Sequence, residues 1–105
     1  MQYESFDLDV PNGGNGEGVP KEIHRHRIKS VYVTGTFNAS VTVEIHPART
    51  IPVDDTGWVP AGAAIVGGDA PKVLTFEHAC RWIRVVVSSW VSGQPEVRFG
   101  GYDVV

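Results

Sequence analysis

Cysteine is almost absent from this sequence, since Cys80 is the only one among 105 residues. A single cysteine excludes an intrachain disulfide and a C-x-x-C metal or redox motif. We interpret Cys80 as a buried thiol that behaves as a small hydrophobic residue. A catalytic thiol needs a nearby base, and His78, two residues away in a strand, points parallel to Cys80 rather than towards it.

Long apolar runs and a strong charge bias are also missing. No stretch approaches the roughly 18–20 apolar residues of a membrane helix, so no membrane partner is expected. The net charge of −3 is too mild to indicate a nucleic-acid partner. The first ten residues, MQYESFDLDV, lack the basic and apolar parts of a signal peptide. We therefore expect a protein that is made in the cytoplasm and stays soluble there, unless it is assembled into something released by lysis.

Helical periodicity and nucleotide-binding motifs are lacking as well. Neither G-x-G-x-x-G nor G-x-x-x-x-G-K-[ST] occurs, and we expect no cofactor. Short β-branched runs between Gly, Pro, Asn and Asp predict an all-β fold instead, an antiparallel β-sandwich of about seven strands that resembles a jelly roll. A two-residue link, Asn38-Ala39, joins two of these strands as a hairpin. The predicted strands are 22–28, 30–37, 40–46, 57–66, 72–78, 81–90 and 96–105.

The N-terminal segment differs from the rest in composition. Residues 10–20, VPNGGNGEGVP, hold four glycines between prolines and are typical of a tether. Residues 1–20 carry four acidic side chains and no basic one, whereas 21–29 are mainly basic. We predict a flexible acidic arm over 1–20 and a sandwich domain over 21–105. The apolar anchors of the arm, which we expect to contact another chain, are Tyr3, Phe6 and Leu8.

The predicted strand RWIRVVVSSW, residues 81–90, has two unlike faces. Ile83, Val85 and Val87 form an ordinary core face. Strict alternation places Trp82, Arg84, Val86 and Trp90 on the other face. Because a large exposed apolar patch usually marks a contact site, and because Trp and Arg often anchor interfaces, we predict an interface there. If the fold covers this face, Arg84 needs a partner such as Glu44 or Glu77.

Three segments together resemble small virion proteins of tailed bacteriophages. They are VYVTGTFNASVTVEIHPA, DDTGWVPAGAAI and PKVLTFEHACRWIRVVVSSWVSGQPEVRFGG, and the resemblance covers about residues 30–101. It departs at Asp55-Thr56-Gly57-Trp58, where the turn is shorter than usual. The resemblance implies a non-enzymatic structural protein of the virion. The expected role is a homo-oligomeric head decoration or cement protein that binds the major capsid protein, with a tail or fibre module as the alternative.

Two chemical alternatives compete with this interpretation. Asp55-Thr56-Gly57 matches the D-T-G of dimeric aspartic proteases, in which two carboxylates share a proton. The adjacent Asp54 and the bulky Trp58 do not fit that site and favour an Asx-type turn. His24-x-His26 resembles the first cupin motif, and His46 or His78 would supply a third metal ligand. The commoner explanation is exposed histidines among arginines, so we predict no metal.

A carbohydrate-binding sandwich is a third alternative. Trp58, Trp82 and Trp90 have side chains that stack well on sugar rings. The sequence shows no cluster of polar partners beside them, which such a site needs for hydrogen bonds to hydroxyl groups. This alternative therefore depends on the fold bringing polar groups to the tryptophans.

Overall fold

A computed structural model describes residues 2–23 and 26–103, and in strands β1 and β10 the side chains of Gln2 and Asp103 are not described. Its ten strands form two antiparallel sheets that pack as a sandwich. The helical structure in the described residues is one 3-10 turn, Gly67–Asp69. The strands are β1 Gln2–Asp7, β2 Gly16–Glu17, β3 Lys21–Glu22, β4 His26–Thr34, β5 Phe37–His46, β6 Val59–Pro60, β7 Ile65–Val66, β8 Lys72–Phe76, β9 Trp82–Gly93 and β10 Glu96–Asp103.

The strands divide between a smaller and a larger sheet. Sheet A has the order β1-β10-β4-β8. Sheet B has the order β2-β9-β5-β6, with β3 also paired to β9 and β7 also paired to β5. The prediction of an all-β antiparallel sandwich is confirmed. Four of the ten strands are only two residues long. The sequence pattern also missed β1, which lies in the segment predicted as an arm, and the predicted strands 22–28 and 30–37 both overlap β4.

The link between β4 and β5 differs from the prediction. Asn38 and Ala39 lie within β5, and the connecting residues are Gly35 and Thr36. Gly35 has a φ of +97°, a backbone conformation that glycine adopts without strain. The hairpin prediction is wrong, because β4 and β5 belong to different sheets and the link crosses between them.

The core lies between the sheets and follows the period-two pattern. Side chains of β5 and β9 alternate, and Ile83, Val85 and Val87 are buried, as predicted. Their registered partners on β5 are Ile45, Val43 and Val41. Sheet A contributes its own buried row from three of its strands. The buried core residues of sheet A include Val31, Val33, Phe76, Val97 and Phe99.

The segment predicted as an arm takes part in sheet A. Its first part, β1, pairs with β10 of the same chain over six residue pairs, and Leu8 is buried in the core. The glycine-rich part is tied to the sandwich by backbone hydrogen bonds such as Gly18 N to Val85 O at 2.7 Å. Gly18 also lies so close to the carbonyl of Asp9 that a side chain there would overlap it. The division of the chain at residue 20 stays a prediction, which the deletion described in the Discussion tests.

Candidate functional site

The outer face of sheet B centres on Arg84, which is buried. In the ladder between β5 and β9, Arg84 lies opposite Glu44. Its Nε donates to Glu44 Oε1 at 2.9 Å and its Nη2 lies 2.8 Å from the same oxygen. Its Nη1 donates to Asp55 Oδ1 at 3.0 Å. Glu44 and Glu77 were the two expected partners of a covered Arg84. The contact with Glu44 is confirmed, and Glu77 does not fill that role.

Trp58 covers the guanidinium of Arg84. The Arg84 Cζ lies 4.3 Å from the centroid of the Trp58 ring, within the range of a cation–π interaction. Burial alone would lower the pKa of Arg84, but the hydrogen bonds and charges of Glu44 and Asp55 outweigh it and raise the pKa. Arg84 is therefore a permanently charged group whose charge is compensated by two carboxylates of the same chain.

The loop 47–58 is fixed over this face by further contacts. His46 Nε2 lies 2.9 Å from Thr56 O, and the amide of Ala48 donates to His46 Nδ1 at 3.1 Å. Because Nδ1 accepts a hydrogen bond, Nε2 carries the proton and donates to Thr56 O. The ring of His46 also meets Trp58 edge-on at 5.1 Å. Gly57, with a φ of +88°, lets the loop approach, since a Cβ there would stand 2.6 Å from His46 Nε2.

Trp82 contacts the N-terminal end of the loop 47–58. It lies opposite His46 in the ladder, and its indole Nε1 donates to Ala48 O at 3.0 Å. Val86, another residue of the predicted interface, is half-buried on the same face of β9 and lies opposite Thr42. Trp82 and Arg84 are thus placed to position the loop, which supplies Asp55, Ala48 and Trp58 from outside the strand.

Trp90 does not continue this outer row. The pairing of β9 with β5 shifts between Asn38 and Ser40, and Ser89 has a φ of +52°. This bulge breaks the strict alternation that the prediction assumed. Trp90 packs against the hydrophobic core, and its Nε1 donates to Gly93 O at 2.9 Å. The placement of Trp90 beside Trp82 on one face was wrong.

The three predicted anchors of the N-terminal segment are placed differently from one another. Leu8 is buried in the core and Phe6 packs against Phe99, with ring centroids 5.0 Å apart. Tyr3 is exposed and lies 5.0 Å from the ring of Tyr102. Within the single chain, two of the three side chains are therefore engaged with the sandwich itself, and Tyr3 is the exposed one.

The loop 47–58 exposes two aliphatic side chains that the sequence analysis did not single out. Val53 is 94% exposed and Ile51 is 49% exposed. They lie between Ala48 and Asp55, two loop residues that are hydrogen-bonded to Trp82 and Arg84 of β9. A polar turn in which the amide of Thr56 donates to Asp54 Oδ1 at 2.9 Å precedes the return to the sheet. The expected Asx-type turn is confirmed, with Asp54 as its acceptor.

The histidines of the described residues are separate from one another. Each has its own environment: His26 Nε2 lies 2.9 Å from Glu4 Oε1, His46 binds the loop, and His78 lies beside Phe76. No group of three potential metal ligands occurs in residues 2–23 and 26–103. His24 of the cupin-like motif lies outside the described residues.

A second polar region contains the buried Lys29 of sheet A and the half-buried Cys80. The Nζ of Lys29 donates to the carbonyl of His78 at 2.8 Å and lies 5.7 Å from the ring centroid of Phe76. Burial lowers the pKa of Lys29, and the charges of Cys80 and Glu77 offset this in part. Burial also raises the pKa of the Cys80 thiol. A thiol with a raised pKa is a poor nucleophile, in keeping with the structural interpretation of Cys80.

No protein-family model, curated protein or solved structure matches this chain. No helix in the described part of the chain is long and apolar enough to cross a membrane.

Proposed function

We propose that this chain is a non-enzymatic structural protein of a phage virion, a homo-oligomeric decoration protein that binds the major capsid protein on the head. The observation that carries the proposal is the loop 47–58, which presents Ile51 and Val53 to solvent while Arg84 and Trp82 hold it against sheet B. A preordered apolar contact loses little conformational entropy on binding. Many such contacts on a particle sum through multivalency.

The role of the predicted interface strand changes accordingly. Trp82 and Arg84 are positioning residues in this proposal, because their polar atoms are satisfied within the chain. The apolar atoms that touch the partner belong to the loop above them. Replacing Trp82 and Arg84 would still weaken assembly, since it would release the loop.

We further infer a jelly-roll topology from the strand pairs. Four sets of strands pair as they would in one long antiparallel ribbon. They are β1 with β10, β2 and β3 with β9, β4 with β8, and β5 with β6 and β7. Wrapping such a ribbon adds the pairs β10–β4 and β9–β5, which are also present. Jelly rolls of this kind build viral capsid domains, which supports a virion role.

The experiment compares particle binding by two variants. Ile51→Asp/Val53→Asp places charge on the loop tip, and Val19→Asp makes the same change at a valine that is 61% exposed outside the loop. Purified protein is mixed with shells of the major capsid protein from the phage that encodes it, and the mass of free and bound protein is measured. We expect the loop variant to stay folded and lose binding, and Val19→Asp to bind normally.

Two outcomes would contradict the proposal. Full occupancy of shells by the loop variant would exclude the loop as the contact. Wild-type protein that binds no shell would exclude the head assignment and favour the tail or fibre module.

A further inference from the structure

Sheet A carries a feature that the assembly role does not use. Its outer face has a half-open cleft of about 480 Å³, within the range of small-molecule sites. The cleft lies where the chain leaves β1, next to β10 and β4. Its polar lining comes from alternate residues of these strands, which share the outer face, and includes Asp7, Tyr32, Thr34, Glu96 and Arg98. Aliphatic side chains, among them Val10, complete the lining.

The charges in the cleft disfavour an anionic ligand. Arg98 Nη1 donates to Asp7 Oδ1 at 2.7 Å, and its Nη2 donates to Ser5 Oγ at 3.1 Å. The cation and the first carboxylate therefore balance each other. Among the described residues, Glu96 has no ion-pair partner, so the three ionic groups sum to one negative charge. An anion meets no uncompensated cation here, and what remains is a set of hydrogen-bond acceptors and donors.

Tyr32 gives the cleft an aromatic wall. It lies opposite Arg98 in the ladder between β4 and β10 and is 41% exposed. Because β10 lies between β1 and β4, the guanidinium of Arg98 turns towards Asp7 on the far side, away from Tyr32. No cation of the described residues lies over the Tyr32 ring. The ring is therefore available for stacking.

We propose that this cleft binds a neutral saccharide. A pyranose ring presents an apolar C–H face, which packs on the ring of Tyr32, and hydroxyl groups at its edge, which both donate and accept hydrogen bonds. The carboxylates of Asp7 and Glu96 accept from these hydroxyls, and Thr34 adds a group that does both. The site is independent of the proposed head-binding loop, which lies on the other sheet.

The test uses a panel of neutral trisaccharides built from glucose, galactose, mannose, rhamnose or N-acetylglucosamine. Binding is followed by the amide resonances of residues 31–34 and 96–98 in a titration of the full chain. We expect at least one sugar to shift these resonances. Tyr32→Ala should weaken its binding by about tenfold, the loss expected for a stacked ring. Glu96→Ala should also weaken it, and both variants should retain the wild-type circular dichroism spectrum.

Tyr102→Ala is the matched control, because Tyr102 is 40% exposed on the same face but does not line the cleft. It should leave the affinity unchanged. The proposal is overturned if no sugar of the panel binds, if Tyr32→Ala and Tyr102→Ala weaken binding equally, or if tetramethylammonium shifts the same resonances and the sugars do not. The last result would assign the cleft to a cation instead.

Discussion

Each sheet carries on its outer face an arginine next to carboxylates, and the two arginines are in opposite environments. Arg84 of sheet B is buried beneath the loop 47–58 and contacts Glu44, Asp55 and Trp58. Arg98 of sheet A remains half exposed and contacts Asp7 and Ser5 at the surface. The strand patterns are alike, so the environment of each arginine depends on whether a loop lies over its face.

The aromatic residues follow the same division. On sheet B, Trp82 and Trp58 are engaged with the loop and with Arg84. All three tyrosines of the chain, Tyr3, Tyr32 and Tyr102, lie exposed on the outer face of sheet A. The covered face uses its aromatic side chains to position a loop, whereas the open face leaves the ring of Tyr32 available for a ligand. This difference is the basis for the two proposals, assembly through the loop over one sheet and saccharide binding on the other.

The largest expected effect comes from deleting residues 1–18, which removes β1 from the edge of sheet A and β2 from sheet B. The deletion takes away β1, the buried Leu8 and the contact of Phe6 with Phe99. We expect it to lower the free energy of unfolding by about 4 kcal/mol or more, since burial of one leucine alone contributes about 2–5 kcal/mol. Urea denaturation followed by circular dichroism measures this.

The sequence alone led to a different expectation for the same deletion. A flexible arm ordered by another chain can be removed without loss of folding, and only assembly weakens. A truncated protein as stable as the full chain would support that arm and the division of the chain at residue 20.

A smaller effect separates the two arginines. Arg84→Met leaves Glu44 half-buried without its cation and releases Asp55, and we expect a loss of about 2–4 kcal/mol. Arg98→Met breaks an exposed pair and should cost at most about 1 kcal/mol. Both losses are measured by urea denaturation. Equal losses in the two variants would remove the distinction between a covered and an open face.

A double variant sharpens the result for the covered face. Adding Glu44→Gln to Arg84→Met removes the half-buried negative charge that the single variant leaves behind. We expect part of the lost stability to return. No recovery would mean that the cost came from the contact with Trp58 rather than from the ion pair.

The smallest effect concerns the buried cation of the open sheet. Lys29 donates to a carbonyl and has a lowered pKa, because burial outweighs the nearby Cys80 and Glu77. The folded chain therefore releases this proton at a lower pH than the unfolded chain, in which the pKa is 10.5. Between the two values the unfolded state binds more protons, so stability rises with pH. The free energy of unfolding is measured between pH 7 and the alkaline end of this window.

The control removes the thiol of Cys80, whose titration changes stability in the opposite direction. Burial raises the pKa of Cys80, so its titration lowers stability as the pH rises above 9.0, the ordinary value. Cys80→Ala is therefore compared with Cys80→Ala/Lys29→Met. The free energy of unfolding should rise with pH in Cys80→Ala and should not rise in Cys80→Ala/Lys29→Met. Parallel curves would show that Lys29 does not titrate differently on folding.

Local patterns predicted much of the sandwich. The alternation in β5 and β9 identified the buried Val41, Val43, Val85 and Val87 correctly, because side chains of a strand point alternately to the two faces. The same rule failed at Trp90, where Ser89 adopts a left-handed conformation and a bulge changes the face. A bulge depends on the pairing of two strands, so one strand's pattern does not reveal it.

The candidate sites depended more strongly on contacts between distant residues. Glu44 was predictable as a partner of Arg84 because opposite charges pair across neighbouring strands. Asp55 and Trp58 were not, since they reach Arg84 only when the loop 47–58 folds back over the sheet. The cleft was missed for the same reason, because Asp7, Tyr32 and Glu96 are brought together by strand order.

The sequence by itself determined the fold class and the side of each strand that faces the core, since both follow from a local period of two and from turn-forming residues. The tertiary structure alone decided which outer face is covered. It placed the loop over Arg84 and Trp82 and left Tyr32 beside an open cleft. The physical reason is that a strand's pattern separates inside from outside, whereas covering an outer face depends on contacts between residues far apart in the chain.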